Sequence, residues 1–97
     1  MKETGIRTVV IEDIIKLAKT YNLNKVILFG SRARGDYKSR SDIDLAVSGG
    51  DCTRFALDVQ EITSTLLFFD VVNLDGVVQR ELLESIEKEG VCIYEKI

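Results

Sequence analysis

The sequence predicts an α/β (α+β) domain in which a small sheet carries helices packed on it. Three observations lead there. Apolar residues recur at helical spacing in three stretches, short apolar or alternating runs separate those stretches, and glycine-bearing turns punctuate the junctions. Helical and extended segments that alternate in this way bury their apolar faces best by layering helices on a sheet. The 97 residues suffice for one domain, 1–97, with a core of its own, yet are few for an enzyme that must hold two substrates.

Residues 8 to 21 read as the first helix. Val10, Ile14, Leu17, Ala18 and Tyr21 form one stripe, while Glu12, Asp13, Lys16 and Lys19 populate the other side. Thr8 is the expected N-cap and Asn22 the expected terminator. Lys25-Val26-Ile27-Leu28-Phe29 is a continuous apolar run of central-strand length. Gly30 permits a sharp turn, Ser31 to Arg34 predict one helical turn ended by Gly35, and Asp36 to Arg40 are polar.

A second strand is expected over Asp42 to Val47. There Ile43, Leu45 and Val47 alternate with Asp42, Asp44 and Ala46, and Gly49-Gly50 stop it. Asp51 can cap a helix whose Phe55, Val59, Ile62 and Leu66 form the next stripe. Leu67 to Val72 read as a third strand, interrupted by Asp70, and Asn73 to Gly76 as a turn. Residues 77 to 88 predict a last helix with Val78, Leu82, Leu83 and Ile86 inward and Gly90 at C′. Val91 to Tyr94 close as a fourth strand. Repeats, low-complexity segments and linkers are absent from the sequence.

Composition excludes several functions. Net charge is −3, so a general nucleic-acid-binding surface is not expected. With no histidine and two isolated cysteines, Cys52 and Cys92, a zinc site is excluded and reduced thiols are expected. The N-terminus lacks an apolar targeting segment and no run reaches membrane-spanning length, which suggests a cytoplasmic protein.

The chemistry concentrates in residues 28 to 47, LFGSRARGDYKSRSDIDLAV. A Gly30-Ser31 turn that leaves a strand and opens a helix offers backbone N–H groups and a hydroxyl to phosphate. Asp42 and Asp44, two apart on a strand, share a face. A bare Asp-x-Asp is ordinarily just the polar face of a half-exposed strand. Here the pair begins a strand at a short distance from a Gly-Ser turn, and a third carboxylate, Asp70, lies inside an apolar strand. An unpaired charge buried there would be costly, and a divalent cation would explain it. Arg32, Arg34, Lys38 and Arg40, opposed only by Asp36, make a local basic patch beside this turn.

Gly30-Ser31-x-Ala33-Arg34-Gly35, followed after five residues by Ser41-Asp42-x-Asp44-Leu45, resembles the signature of the minimal nucleotidyltransferases of the polymerase-β-like superfamily. The resemblance implies a mixed, palm-like sheet and transfer of a nucleoside monophosphate from a nucleoside triphosphate, ATP by expectation, to a hydroxyl acceptor. Asp42 and Asp44 would hold the nucleotide-bound Mg2+. Asp70 would complete a second metal site, in the arrangement where two ions stand roughly 3.5–4 Å apart, or accept the acceptor's proton. Asp75 is the rival third carboxylate, although its Asp-Gly setting suits a turn. Gly30 and Ser31 would grip the β- and γ-phosphates, with Arg34 and Arg32 offsetting charge on the leaving group. For Arg34 a surface salt bridge is the competing role. Ser41 would cap the start of the strand or bond an aspartate.

From Val77 onward the chain offers only one helix and one strand, both expected in the core. The acceptor should therefore arrive on another molecule, or a second subunit should complete the site. Short members of the resembled family act as antitoxins beside a helical HEPN-domain toxin, as in type VII-like toxin–antitoxin pairs, and AMPylate a tyrosine of that partner. A contact-only antitoxin and a small-molecule (antibiotic) adenylyltransferase are the alternatives. The first would not need the three carboxylates, and the second lacks an acceptor domain.

Overall fold

The computed structural model describes residues 4–97. Helix α1 (Thr8–Thr20) lies before strand β1 (Lys25–Phe29), and a one-turn helix α2 (Ser31–Arg34) leads through a loop to β2 (Ile43–Ser48). Then come α3 (Cys52–Ile62), β3 (Phe69–Asn73), α4 (Arg80–Glu89) and β4 (Val91–Glu95). The strands form one mixed sheet in the order β3-β2-β1-β4. β1 is antiparallel to both β2 and β4, and β2 runs parallel to β3 across the α3 connection. The element order and the mixed sheet agree with expectation.

The two faces of the sheet are covered unequally. Val26 and Leu28 of β1 and Ile43, Leu45 and Val47 of β2 point to one side, where they join Val10, Ile14 and Leu17 of α1 and Phe55 and Val59 of α3. Each such large side chain contributes roughly 1.5–3 kcal/mol by leaving water. On the other face Phe29, Ala46 and Ile86 form a small cluster under α4. One amphipathic helix cannot roof four strands, so part of this face stays open.

Local signals explain most boundaries. The stop of α1 is a Schellman motif: Asn22 adopts φ 57°, its N–H bonds Lys19 O at 3.1 Å, and Leu23 N–H bonds Ala18 O at 2.9 Å. Leu23 is then fully buried against the helix it has just left. Asp51 caps α3, its carboxylate accepting the Arg54 N–H at 3.0 Å. Both cysteines are free, Cys52 buried and Cys92 exposed.

Other expectations need correction. The cap of α1 is Arg7, without a side-chain bond, and Thr8 is the first helical residue. Helix α3 stops at Ile62, so Ile62 is 60% exposed and Leu66 lies fully exposed beyond the helix. The continued stripe was a coincidence of spacing. Helix α4 begins at Arg80 rather than at residue 77, leaving Val77 in solvent and Leu83 at the exposed margin. Gly90 ends α4 in extended geometry (φ −64°, ψ 144°), not as a left-handed C′ residue. It is glycine because a Cβ there would collide with Ile86 O and the Ile27 side chain.

Candidate active site

The site lies at the end of the sheet where β1 finishes and β2 begins, on the face that α4 only partly covers. The chain leaves β1 through Gly30 at φ 74° and ψ −157°, a region open to glycine. The carbonyl of Gly30 accepts the N–H groups of Ala33 and Arg34, both at 3.1 Å, and so starts α2. Phe29 stands opposite Asp44 in the antiparallel ladder, and a Cβ on Gly30 would strike the Asp44 carboxylate. The glycine therefore serves two needs: a backbone angle other residues resist, and room for a carboxylate against the turn. Ser31, half-buried, follows at the first helical position.

The parallel ladder supplies the next relation. Asp44 of β2 pairs in register with Asp70 of β3, and Asp42 immediately precedes β2. Burial pushes the Asp44 carboxyl up to about 6, with the negative charges of Asp70 and Asp42 adding to the rise and Arg34 opposing it. Three carboxylates thus feel one another at one end of the sheet. Among the described residues no group of three carboxylates or thiols stands close enough together to hold a metal ion. Hard oxygen donors around a carboxylate whose charge is disfavoured, as at Asp44, are the donor set a divalent cation such as Mg2+ would stabilise.

Asp70 reaches this place differently from expectation. It is exposed, because β3 is an edge strand, so the cost of a buried charge does not apply. Register, not burial, puts it beside Asp44. Asp75 is at the opposite end of β3, where its carboxylate accepts the Gly49 N–H at 2.6 Å and its own N–H bonds Asn73 Oδ1 at 2.9 Å. It is a turn residue, as its Asp-Gly setting suggested.

The two arginines part company. Arg32 is 1% exposed, and its guanidinium is consumed by backbone carbonyls. Nε and Nη2 bond Ser41 O at 3.1 and 2.9 Å, Nη1 bonds Thr4 O at 2.9 Å, and Nη2 also reaches Ser39 O at 3.3 Å. The Tyr37 ring stacks beneath it at 4.9 Å. Its expected phosphate role is overturned: Arg32 fastens the loop that delivers Asp42 to the sheet. Arg34 is exposed, and bonds Glu89 at the end of α4 at 2.9 Å and Asp36 at 3.2 Å. Those two carboxylates raise its already high proton affinity. The salt-bridge role is therefore present, and Arg34 remains close enough to lower the Asp44 carboxyl.

Ser41 belongs to the same loop. Its hydroxyl accepts the Lys38 N–H at 2.8 Å and its N–H returns to Lys38 O at 3.0 Å. Sequence reasoning missed Thr4, Tyr37 and Glu89 altogether. One signal for the arginines was available: residues two apart on a helix point about 200° apart, so Arg32 and Arg34 could not both face one phosphate. Among the described residues no helix is long and apolar enough to cross a membrane.

Comparison with known proteins bears on the family and the fold. The family model described as polymerase beta, nucleotidyltransferase, matches residues 12–97. A candidate protein adenylyltransferase of Methanocaldococcus jannaschii is 41% identical over 61 residues, which are 63% of this chain and 58% of that protein. The chain thus spans under two thirds of that relative. Among solved structures, a toxin–antitoxin complex with AMP-PNP superposes with a TM-score of 0.73 at 24% identity, covering 89% of this chain and 73% of the other. A candidate minimal nucleotidyltransferase gives 0.64 at 25% identity over 84% of this chain and 86% of its own. With the family model covering residues 12–97, nearly the whole fold, the chain belongs to the polymerase-β nucleotidyltransferase family.

Proposed function

We propose that this chain is a cytoplasmic, Mg2+-dependent adenylyltransferase that moves AMP from ATP onto a tyrosine hydroxyl of a helical HEPN-type partner, acting as the antitoxin of a toxin–antitoxin pair. The observation that carries the reading is the alignment of Asp44 between the Gly30 turn and Asp70. The turn's backbone, with no side chain on Gly30, then stands directly against the Asp44 carboxylate. The AMP-PNP-bound toxin–antitoxin neighbour and the candidate protein adenylyltransferase relative support the donor and the acceptor class.

In this reading Gly30 and Ser31 seat the β- and γ-phosphates, and Arg34 balances charge gathering on the pyrophosphate. Asp42 and Asp44 would hold Mg2+ with the nucleotide, and Asp70 would complete a second ion position; the ions would supply charge neutralisation around the reacting phosphate. The acceptor oxygen bonds to the α-phosphorus as the α–β bridging bond breaks and pyrophosphate departs. An Asp70 carboxylate oxygen takes the hydroxyl proton.

The test is a transfer assay with Mg2+ and ATP labelled at the α-phosphate, with and without the product of the neighbouring gene. Label should appear on the partner and vanish with Asp42→Asn. Asp70→Asn should lower the rate at least about 100-fold, whereas Asp75→Asn should leave it unchanged. A tight complex without label would overturn transfer in favour of inhibition by contact. Equal losses from Asp70→Asn and Asp75→Asn would remove Asp70 from the site.

A further inference from the structure

Beside Asp70 lies a surface that the sheet does not need. Leu66 is 101% exposed and Phe68 71% exposed, two large apolar side chains held in water on the segment leading into β3. They line a groove of about 570 Å3 with Thr65, Leu67, Arg7 and Arg40. Scattered apolar residues on a surface need no explanation, but a grouped pair in a groove flanked by charge marks an interaction site.

We propose that this groove docks the partner segment that carries the acceptor hydroxyl, and that the segment is acidic with apolar side chains between its carboxylates. The proposal rests on the transferase reading above and adds where, and by what chemistry, the acceptor is held.

Three features support it. The first is position. Phe68 O accepts the Ile43 N–H at 2.9 Å, so the ladder begins one residue from Asp42. Phe69 and Val71 pack toward the main core, so alternation turns Phe68 to the same face as Asp70. A chain lying over Phe68 therefore lies on the side of the strand that carries Asp70, two residues on. The second is charge. Both ionisable residues lining the groove are arginines, Arg7 and Arg40, on a chain whose net charge is −3. An acidic segment is attracted there, while a basic one would pair with the chain's acidic remainder.

The third is rigidity. Gln60 bonds Leu67 O at 3.3 Å and the Phe69 N–H at 2.8 Å, imitating a neighbouring strand. Arg7 bonds Ser64 O, and Asp13 accepts the Ser64 N–H at 3.0 Å. These bonds hold exposed apolar groups in place before any partner arrives, which spares ordering entropy on binding.

The experiment uses three synthetic peptides, each with one tyrosine between leucines, with net charges of about −4, 0 and +4. Binding to the full chain is read without nucleotide from amide shifts, and label transfer from α-labelled ATP is read separately. The −4 peptide should bind tightest, weaken with salt, and shift the amides of Leu66, Phe68 and Arg40. Arg40→Glu should reduce its affinity at least about tenfold and favour the +4 peptide. Phe68→Ser should weaken all three alike while the melting temperature holds. Affinity independent of peptide charge, shifts confined to other surfaces, or no binding by any peptide would overturn the proposal. So would self-association abolished by Phe68→Ser, since the groove would then hold a second copy. Charge-selective binding without transfer would leave the dock standing and count against the transferase reading alone.

Discussion

Replacing Asp44 by asparagine removes a charge that the folded protein holds at a cost. Its carboxyl rises from an ordinary 3.8 to about 6, through burial first and then through Asp70 and Asp42. The difference, 6 minus 3.8, is about 2.2, which at 1.36 kcal/mol per pH unit sets an upper bound of about 3 kcal/mol. Because Asp44 is only half-buried, solvent screening reduces the effect to about 1 kcal/mol. For an acid raised on folding, the folded state binds more protons than the unfolded one between the two values. Stability therefore falls as pH climbs from 3.8 to 6, and the full penalty persists above 6. In metal-free buffer Asp44→Asn should melt roughly 4–8 °C above the parent at neutral pH. The gap should close near pH 4. Thermal melts of both proteins across that range, followed by circular dichroism, give the curve directly. Millimolar Mg2+ with ATP should then raise the parent and leave the variant unmoved, because only the parent gains by mass action. A variant less stable than the parent at neutral pH, or a gap that ignores pH, would refute the electrostatic account of the site.

Three further outcomes follow from the same geometry. Arg32→Ala would leave the carbonyls of Ser41 and Thr4 without their buried donor and should cost about 3 kcal/mol. Arg34→Ala, an exposed ion-pair residue, should leave the melting temperature nearly unchanged; similar losses for the two would contradict their opposite orientations. Gly30→Ala places a side chain at φ 74° and against Asp44, and should cost about 1–3 kcal/mol and abolish ATP binding by titration calorimetry. Retained binding would mean the turn does not cradle phosphate.

Much of this was legible locally. The stripe of Val10, Ile14 and Leu17, the αL stop at Asn22 and the cap at Asp51 are each set by residues within a few positions of one another. The same holds for the Gly30-Ser31 turn, where a glycine between a strand and a helix sets the backbone angle itself. Where local spacing failed, a boundary had moved: the stripe through Ile62 and Leu66 continued in the sequence after the helix had ended.

Three matters were decided only when the chain closed on itself. Asp70 is exposed because β3 took the edge of the sheet, and it meets Asp44 because the parallel register sets Phe69 beside Ile43. Asp75 went to the far end of that strand, so the choice between two acidic residues five apart became a choice between two ends of a sheet. Arg32 turned inward because the loop from Lys38 to Ser41 presents carbonyls with no strand to satisfy them, and a buried guanidinium has donors enough for several. Sequence alone determined which residues could do phosphate and carboxylate chemistry, since side-chain type and short-range periodicity are written in order along the chain. Tertiary structure decided which of them meet, since register, edge position and burial depend on partners far away in sequence.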